Sequence, residues 1–107
     1  MDNADLALPS GARAGLVPLH PANSPSRRSL LFDDLAEWLP GMGVAVLRFD
    51  RRAAEDVPLE LQADDAETAV AELRAAAGNP ALPIVLWGFS QGAWPAMIAA
   101  ARRSDVA

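Results

Sequence analysis

The sequence contains no cysteine, a single histidine (His20) and no lysine, so that all nine basic side chains are arginines. Without cysteine there is no disulfide framework, no thiol nucleophile and no thiolate metal site. A single histidine also excludes a zinc site built from several imidazoles. We therefore expect a protein that works without a metal or another cofactor.

Long apolar runs and basic segments are missing as well. No continuous apolar stretch reaches the roughly 18 residues that a membrane span needs. The acidic opening at Met1 and Asp2 has no basic region typical of a secretory signal. The net charge of −5 argues against nucleic acid and anionic membranes as partners, because both attract positive patches. These features predict a cytoplasmic protein.

The chain has ample material for one small domain. It has 107 residues, of which 51% are hydrophobic and 21% charged, a balance too apolar for disorder. It shows no internal repeat and no linker long enough to divide it. We treat residues 1–107 as a single unit.

Buried strands alternate with amphipathic helices along this unit. A short edge strand is predicted from Ala4 to Leu8, and apolar strands at residues 14–19, 44–49 and 84–87. Helices are predicted from about Arg28, through residues 63–77, and from Gln91 to Arg103. Their inward faces are predicted to contain Leu31, Leu35, Trp38 and Leu39 in the first helix; Ala63, Ala66, Val70, Leu73 and Ala77 in the second; Ala93, Met97, Ala100 and Ala101 in the third. This alternation indicates an α/β fold, a three-layer sandwich around a parallel sheet.

One motif carries chemistry, the G-x-S-x-G pattern of Gly88, Ser90 and Gly92 at the end of the third apolar strand. A sharp strand-to-helix turn strains the backbone at Ser90, so the residues two positions away must be nearly free of side chain. The turn raises the Ser90 hydroxyl above the sheet edge, beside a helix N-terminus that favours developing negative charge. The pattern predicts Ser90 as a nucleophile. The simpler alternative is that Gly88 and Gly92 only allow close packing of strand and helix.

With these residues in place, the sequence resembles the N-terminal half of an α/β-hydrolase. The stretch 16–20 resembles the strand that ends in the family's His-Gly motif, and 44–52 resembles the next strand with its D-x-R turn. That turn is frequent in the peptidase-like and dienelactone-hydrolase-like branches. Residues 87–92 resemble the nucleophile elbow. The resemblance implies an α/β-hydrolase fold that stops after the elbow helix, and a serine hydrolase acting on ester or related acyl bonds.

The resemblance also assigns the oxyanion hole, the pair of N–H groups that stabilise the charged intermediate. The backbone N–H groups of Gln91 and Ala22 take this role by position. Proline at position 21 replaces the usual glycine after the histidine and lacks an N–H. Ala22 can still donate.

The general base and its orienting acid are missing from the expected place. In this family they follow the serine in the order acid, then histidine, and after Ser90 the chain has only Asp105 and no histidine. Residues 105–107 resemble the beginning of the next strand of the sheet. His20 as the base, and Asp50 as the acid, are the weaker alternatives to structural roles in their turns.

The other charged and aromatic residues have simpler interpretations. We expect a solvated helix face for four carboxylates, ordinary surface charge for three arginine pairs, and core or pocket lining for three tryptophans. The carboxylates are Asp64, Asp65, Glu67 and Glu72; the arginine pairs are Arg27–Arg28, Arg51–Arg52 and Arg102–Arg103; the tryptophans are Trp38, Trp87 and Trp94. Phe89 and Trp94 lie near enough to the turn to contact a substrate.

The strand from Ile84 to Trp87 lacks a neighbour on one side in this arrangement. An apolar edge of this kind invites aggregation or strand addition by another chain. We therefore predict self-association, or a partner chain, at Ile84–Trp87.

Three functions follow. The first is a serine hydrolase of small acyl substrates, with thioesterase or acyltransferase chemistry as variants on the same nucleophile. The second is a non-catalytic remnant or half-domain that pairs with another polypeptide. The third is a doubly wound binder in which Ser90 caps a helix over a phosphate, a role for which Phe89 and Gln91 make the loop bulky.

Overall fold

The computed structural model describes residues 3–21, 27, 30–51 and 57–107. The strands are β1 (Ala4–Ala7), β2 (Ala14–Leu19), β3 (Val44–Phe49) and β4 (Ile84–Gly88). The helices are α1 (Leu30–Trp38), α2 (Leu59–Ala77) and α3 (Ala93–Arg102), with short 3-10 turns at Leu39–Met42 and Ser90–Gly92. The predicted alternation of strands and helices is confirmed.

The four strands form one sheet in the order β1-β3-β2-β4. Strand β2 pairs in parallel with both β3 and β4, as predicted. Strand β1 pairs with β3 in the antiparallel direction, so the sheet is mixed. The segment 8–13 between β1 and β2 explains this difference, because it is too short for the crossover that two parallel strands require.

The sheet is covered on both faces, which makes the predicted three-layer arrangement. On one face α2 and α3 pack together over the residues of β2, β3 and β4 that belong to the main hydrophobic core. On the other face α1 contacts β3, and its Phe32 ring lies 6.0 Å from the Trp87 ring of β4. Because β2 lies between β3 and β4 and runs parallel to both, the carboxyl ends of these three strands meet at one edge of the sheet.

The predicted inward face is confirmed for α2 and wrong for α1 and α3. In α2 the predicted stripe from Ala63 to Leu73 is buried, and Ala77 is partly buried. In α1 the buried residue is Phe32, whereas Trp38 is 60% exposed. In α3 Met97 is 57% exposed, and the buried residues are Pro95, Ala96 and Ala99. Apolar residues occur on several sides of these two short helices, so their periodicity does not fix which side faces the sheet.

Candidate active site

Ser90 lies in a strained turn between β4 and α3. Phe89 is still extended, with φ −108° and ψ 123°, and Ser90 then adopts φ +56°. It is the one non-glycine residue with positive φ in the part of the chain that the structure describes. A left-handed conformation at a residue with a Cβ is unfavourable by roughly 1–2 kcal/mol, so the surrounding structure must hold it in place. The Ser90 side chain belongs to an exposed residue, as access to a ligand requires.

The two flanking glycines have no room for a side chain. A Cβ at Gly88 would lie 2.3 Å from the Ala93 Cα and 2.3 Å from the Gly92 carbonyl oxygen. A Cβ at Gly92 would lie 2.2 Å from the Leu19 carbonyl oxygen. All of these neighbours are backbone atoms, which cannot move aside as a flexible side chain would. The close approach of β4, α3 and the end of β2 therefore depends on glycine at both positions.

The end of β2 forms the wall beside this turn. The Phe89 N–H donates to the Leu19 carbonyl over 3.0 Å. The His20 carbonyl oxygen would lie 2.8 Å from a Cβ at Gly92. The segment that follows β2 thus begins beside the Ser90 turn. Ala22, the predicted second oxyanion donor, lies outside the described residues, and its role stays a prediction.

Gln91 lies in the 3-10 turn that opens α3. The first N–H groups of a helical segment have no carbonyl partner within that segment, so they are oriented to bind an acceptor from outside. The N–H of Gln91 is the first after Ser90. Its predicted role as an oxyanion donor is compatible with this position and stays a prediction.

His20 is fully buried, and both of its ring nitrogens are engaged. The Arg51 backbone N–H donates to the His20 Nε2 over 3.0 Å, so the ring hydrogen is on Nδ1, which donates to the Pro21 carbonyl over 2.9 Å. Burial lowers the pKa of His20, and the nearby Arg51 charge adds to this effect, against the opposing influence of the Pro21 bond. A buried neutral imidazole with no free nitrogen cannot serve as a general base for Ser90. Its role is structural.

Arg51 is buried rather than on the surface, which corrects the expectation for that arginine pair. It is only 6% exposed. Its Nε donates to the His20 carbonyl over 2.5 Å, and its NH1 donates to the Gln62 Oε1 over 2.7 Å. Sequence analysis missed both residues. The sequence offered one sign of this contact, the position of Gln62 directly before Ala63 of the inward stripe of α2. In the structure Gln62 is buried.

Asp50 ties down its turn, the simpler of the two roles considered for it. Its carboxylate accepts from the Arg27 backbone N–H over 2.8 Å and from the Arg27 NH1 over 2.5 Å. Arg27 also bonds to Asp5 of β1 over 3.1 Å. With both oxygens used in this way, Asp50 is held at the β1 side of the sheet and does not orient a histidine.

The acidic residues of α2 do more than face solvent. Asp64 and Glu67 accept hydrogen bonds from Arg102 of α3 over 2.6 and 3.1 Å. These bonds connect the two helices that cover one face of the sheet at exposed positions, so the predicted solvated face also forms ion pairs with α3. Within residues 3–21, 27, 30–51 and 57–107, no group of three histidine or carboxylate side chains could hold a metal ion.

A second arginine joins the end of α2 to the end of the chain. The Arg74 Nε donates to the Leu82 carbonyl, and its NH1 donates to the Asp105 carboxylate over 2.6 Å. Arg103 also donates to Asp105, and together the two guanidinium groups, with Arg103 the stronger influence, lower the pKa of that carboxyl well below its usual range. Asp105 is therefore engaged in a structural cluster.

Aromatic rings extend from the interior to the Ser90 turn. The Trp87 ring packs on Phe32 and on Phe89. The centroids of the Trp87 and Phe89 rings are 6.3 Å apart, and the two rings meet nearly edge to face. Phe89 is 47% exposed and Trp94 is 57% exposed. Both side chains are exposed and stand close to Ser90 in the sequence, whereas the exposure of Trp38, 60%, shows that it is not a core residue.

The outer edge of β4 is partly occupied. Val106 bridges to Ile84 in the parallel direction. The Leu86 N–H donates to the Ala107 carbonyl over 2.6 Å, and the Ala107 N–H donates to the Ile84 carbonyl over 3.0 Å. Residues 106–107 thus pair with the first half of β4, which is not a bare edge. None of the described helices is long and apolar enough to cross a membrane.

Comparison with known proteins supports the architecture. No family model matches the sequence, and no curated protein matches it. A serine hydrolase without a lid, XC6422 from Xanthomonas campestris, superimposes with a TM-score of 0.70 at 27% identity, over 92% of this chain and 50% of its own. Est1E from Butyrivibrio proteoclasticus, bound to ferulic acid, gives 0.76 at 24% identity, over 94% and 43%. DcsB with a substrate analogue gives 0.80 at 22% identity, over 96% and 38%.

The chain therefore spans between 38% and 50% of the length of these three proteins. Its assignment to the N-terminal half of such a domain stays a prediction. What the similarity establishes is the overall architecture, which agrees with the resemblance found in the sequence. The chain has the α/β-hydrolase fold, and its structure is similar to those of known α/β serine hydrolases.

Proposed function

We propose that this chain provides the nucleophile of a serine hydrolase that acts on ester or related acyl bonds, with Ser90 as that nucleophile. The observation that carries the proposal is the positive φ of Ser90 between two glycines whose Cβ atoms would collide with backbone. A strained serine at a strand-to-helix turn is the arrangement that presents a hydroxyl above the edge of an α/β-hydrolase sheet. Strain of this kind persists where function requires the conformation.

The proposed reaction has two steps. The Ser90 Oγ attacks the carbonyl carbon of the substrate and its proton passes to a general base; the base then gives this proton to the leaving oxygen as the carbon–oxygen bond of the ester breaks, and the neutral alcohol departs. Water then attacks the acyl-serine in the same way and releases the acid. In both steps the N–H groups of Gln91 and Ala22 stabilise the negative charge on the former carbonyl oxygen.

The general base must come from polypeptide other than residues 1–107. His20 is the single histidine of the sequence, and both of its nitrogens are bonded within the fold. Asp105 is engaged by Arg74 and Arg103. A serine hydroxyl is a weak nucleophile without an imidazole or a comparable base, so we do not expect appreciable turnover from these 107 residues alone.

Small acyl substrates fit this site better than large polar ones. Phe89 and Trp94 are exposed aromatic side chains near Ser90, and they offer apolar contact to an acyl or aryl group. Est1E, one of the similar structures, holds ferulic acid, an aromatic acid.

Hydrolysis of p-nitrophenyl butyrate by the native gene product tests the proposal. We expect a burst of nitrophenol followed by steady turnover, since an acyl-enzyme accumulates. Ser90→Ala should reduce the rate to the solvent background, and Ser104→Ala, at an exposed serine outside the turn, should leave it unchanged. Equal rates in the wild type and Ser90→Ala would overturn the assignment.

A second candidate function is a half-domain that pairs with another polypeptide and has no catalytic role by itself. A groove of about 260 Å³ runs beside the outer edge of β4, and the side chains that line it are apolar. It is lined by Leu86, Gly88, Ala93, Ala96, Met97, Ala100 and Ala107. Residues 106–107 already pair with β4 in parallel, so the occupant we propose is an extended apolar strand of a second polypeptide that continues this pairing.

Light scattering of the 107-residue chain over a range of concentrations tests this second candidate. Without its partner, the chain should self-associate through the groove and the β4 edge as its concentration rises. A monomer that unfolds cooperatively and shows no dependence on concentration would contradict it.

A further inference from the structure

We propose that the guanidinium of Arg51 is a positioning residue for the Ser90 turn, acting through the backbone of His20. This inference rests on the proposed function, because it concerns the geometry of the nucleophile. The proposal differs from the surface role expected for Arg51 from sequence. Arg51 makes its contacts at the carboxyl ends of β2 and β3.

Arg51 holds His20 from two directions. Its backbone N–H donates to the imidazole Nε2 of His20 over 3.0 Å. Its side-chain Nε donates to the carbonyl oxygen of His20 over 2.5 Å. The ring hydrogen on Nδ1 is bonded to Pro21. The ring tautomer, the ring orientation and the carbonyl direction of His20 are thereby fixed together.

Gln62 in turn holds the guanidinium. Its Oε1 accepts from the Arg51 NH1 over 2.7 Å, while its Nε2 donates to the Val57 carbonyl over 3.0 Å. This second bond sets which end of the amide faces the arginine. The first turn of α2 therefore forms a fixed support behind Arg51.

The burial of Arg51 is energetically expensive, which indicates that its geometry matters. The side chain is 6% exposed, its pKa is lowered by burial, and its Nη2 is buried with no hydrogen-bond partner among the described residues. No carboxylate of a described residue forms an ion pair with it. An apolar side chain would fill the same space without this desolvation penalty.

The His20 carbonyl connects this support to the nucleophile. The same oxygen that accepts from Arg51 would lie 2.8 Å from a Cβ at Gly92, and the preceding Leu19 carbonyl accepts from Phe89 over 3.0 Å. The residues on either side of Ser90 pack against these two carbonyl groups. A change in the direction of the His20 carbonyl is expected to move the residues on either side of Ser90.

Nuclear magnetic resonance of the 107-residue chain tests the proposal without any need for turnover. In the wild type we expect His20 ring signals of a neutral imidazole with its hydrogen on Nδ1. In Arg51→Met, with the chain still folded, the amide signals of Phe89 to Gly92 should shift together with the His20 signals. Arg102→Met is the matched control: it removes an arginine from the α2–α3 bonds and should leave both sets unchanged.

A milder variant covers the case in which Arg51→Met does not fold. Gln62→Leu keeps the guanidinium and removes its support, so smaller shifts in the same direction are expected in His20 and in the Ser90 turn. If the His20 signals move in either folded variant while the amides of residues 89–92 stay in place, Arg51 stabilises His20 alone and the proposal is overturned.

Labelling of the native gene product by a fluorophosphonate gives the functional readout. Oγ bonds to phosphorus and fluoride leaves, with the serine proton taken by the base. Arg51→Met should slow labelling by roughly 10- to 100-fold, as a misplaced nucleophile does, and added guanidinium chloride should restore part of the rate where sodium chloride does not. An unchanged rate overturns the positioning role. A wild type that is not labelled, beside amide shifts as expected, refutes the proposed function and leaves the structural coupling intact.

Discussion

Two regions of this small sheet, the carboxyl ends of its strands and the outer side of β4, differ in how firmly their residues are held. At the carboxyl ends of the strands, Ser90, His20 and Arg51 are fixed by backbone contacts, hydrogen bonds and burial. At the outer side of β4, Val85 and Met97 are 47% and 57% exposed. The first region is held by contacts among described residues, and the second exposes apolar surface of the kind that folded domains usually cover. The difference separates a firmly held turn, where we propose the nucleophile, from an apolar surface, where we propose that another strand pairs.

The largest expected effect comes from a single methyl group in the firmly held turn. Gly92→Ala places a Cβ against the backbone of Leu19, and we expect a loss of about 3 kcal/mol or more in the free energy of unfolding. Gly41→Ala is the matched control, because a Cβ at Gly41 meets no atom within 4 Å. Urea unfolding monitored by tryptophan fluorescence measures both. Similar stabilities of the two variants would contradict the account of the turn.

The strain at Ser90 predicts a smaller effect of opposite sign. Ser90→Gly should stabilise the chain by about 1 kcal/mol, because glycine adopts positive φ without the penalty of a Cβ. The native gene product carrying this change should be inactive, since it has no hydroxyl. Ser104→Gly, outside the turn, is the control and is expected to show no such gain. A destabilised Ser90→Gly would mean that the turn is not strained.

The buried imidazole predicts a dependence of stability on pH. The pKa of His20 is lowered in the folded chain from its usual 6.5, so the unfolded chain binds the additional proton. The contribution of the neutral His20 to the free energy of unfolding is therefore complete above pH 6.5 and falls as the pH drops below it. The Arg51 charge opposes protonation of the ring, and the Asp50 charge favours it. Thermal unfolding between pH 7.5 and 5 should show this fall. His20→Gln should flatten it, and an equal slope in that variant would assign the effect to another group.

The same experiment at lower pH concerns a different residue. The pKa of Asp105 is lowered by Arg103 and Arg74, so its contribution to stability is present above its usual value of 3.8 and is lost as the pH falls further. The Asp105 effect begins below the interval from pH 7.5 to 5 in which the histidine is followed. The histidine can therefore be followed without interference from this carboxylate.

The smallest effect on stability is expected on the outer side of β4. Met97→Lys adds a charge to the groove beside β4, and it should change the free energy of unfolding by about 0.5 kcal/mol or less because Met97 is exposed. It should nevertheless reduce self-association in light scattering. Leu31→Lys, at a residue of α1 that is 43% exposed, is the matched control and should leave association unchanged. Equal effects of both changes would indicate nonspecific aggregation.

The sequence predicts the features that depend on local rules. The strands, the stripe of α2 and the crowding at Gly88 and Gly92 follow from periodicity and from the demands of a sharp turn. The orientation of α1 and α3 does not, because Phe32 and Leu31, or Ala96 and Met97, are adjacent apolar residues and only tertiary packing decides which is buried.

The hydrogen bonds of Arg51 could not be predicted for a related reason. Its partner His20 is 31 positions away, and the two meet because β2 and β3 are parallel neighbours. Sequence spacing alone indicates neither the burial of a guanidinium nor the amide of Gln62 that supports it. The same holds for Arg74, whose bonds to Leu82 and Asp105 join elements that are distant in the chain.

Peptide mapping by mass spectrometry, after the native gene product has reacted with a fluorophosphonate, tests the central claim most directly. The account predicts one adduct, on the peptide that contains Ser90, and its disappearance in Ser90→Ala. An adduct on another serine, or none on a folded and intact product, would contradict the assignment of Ser90 as the nucleophile.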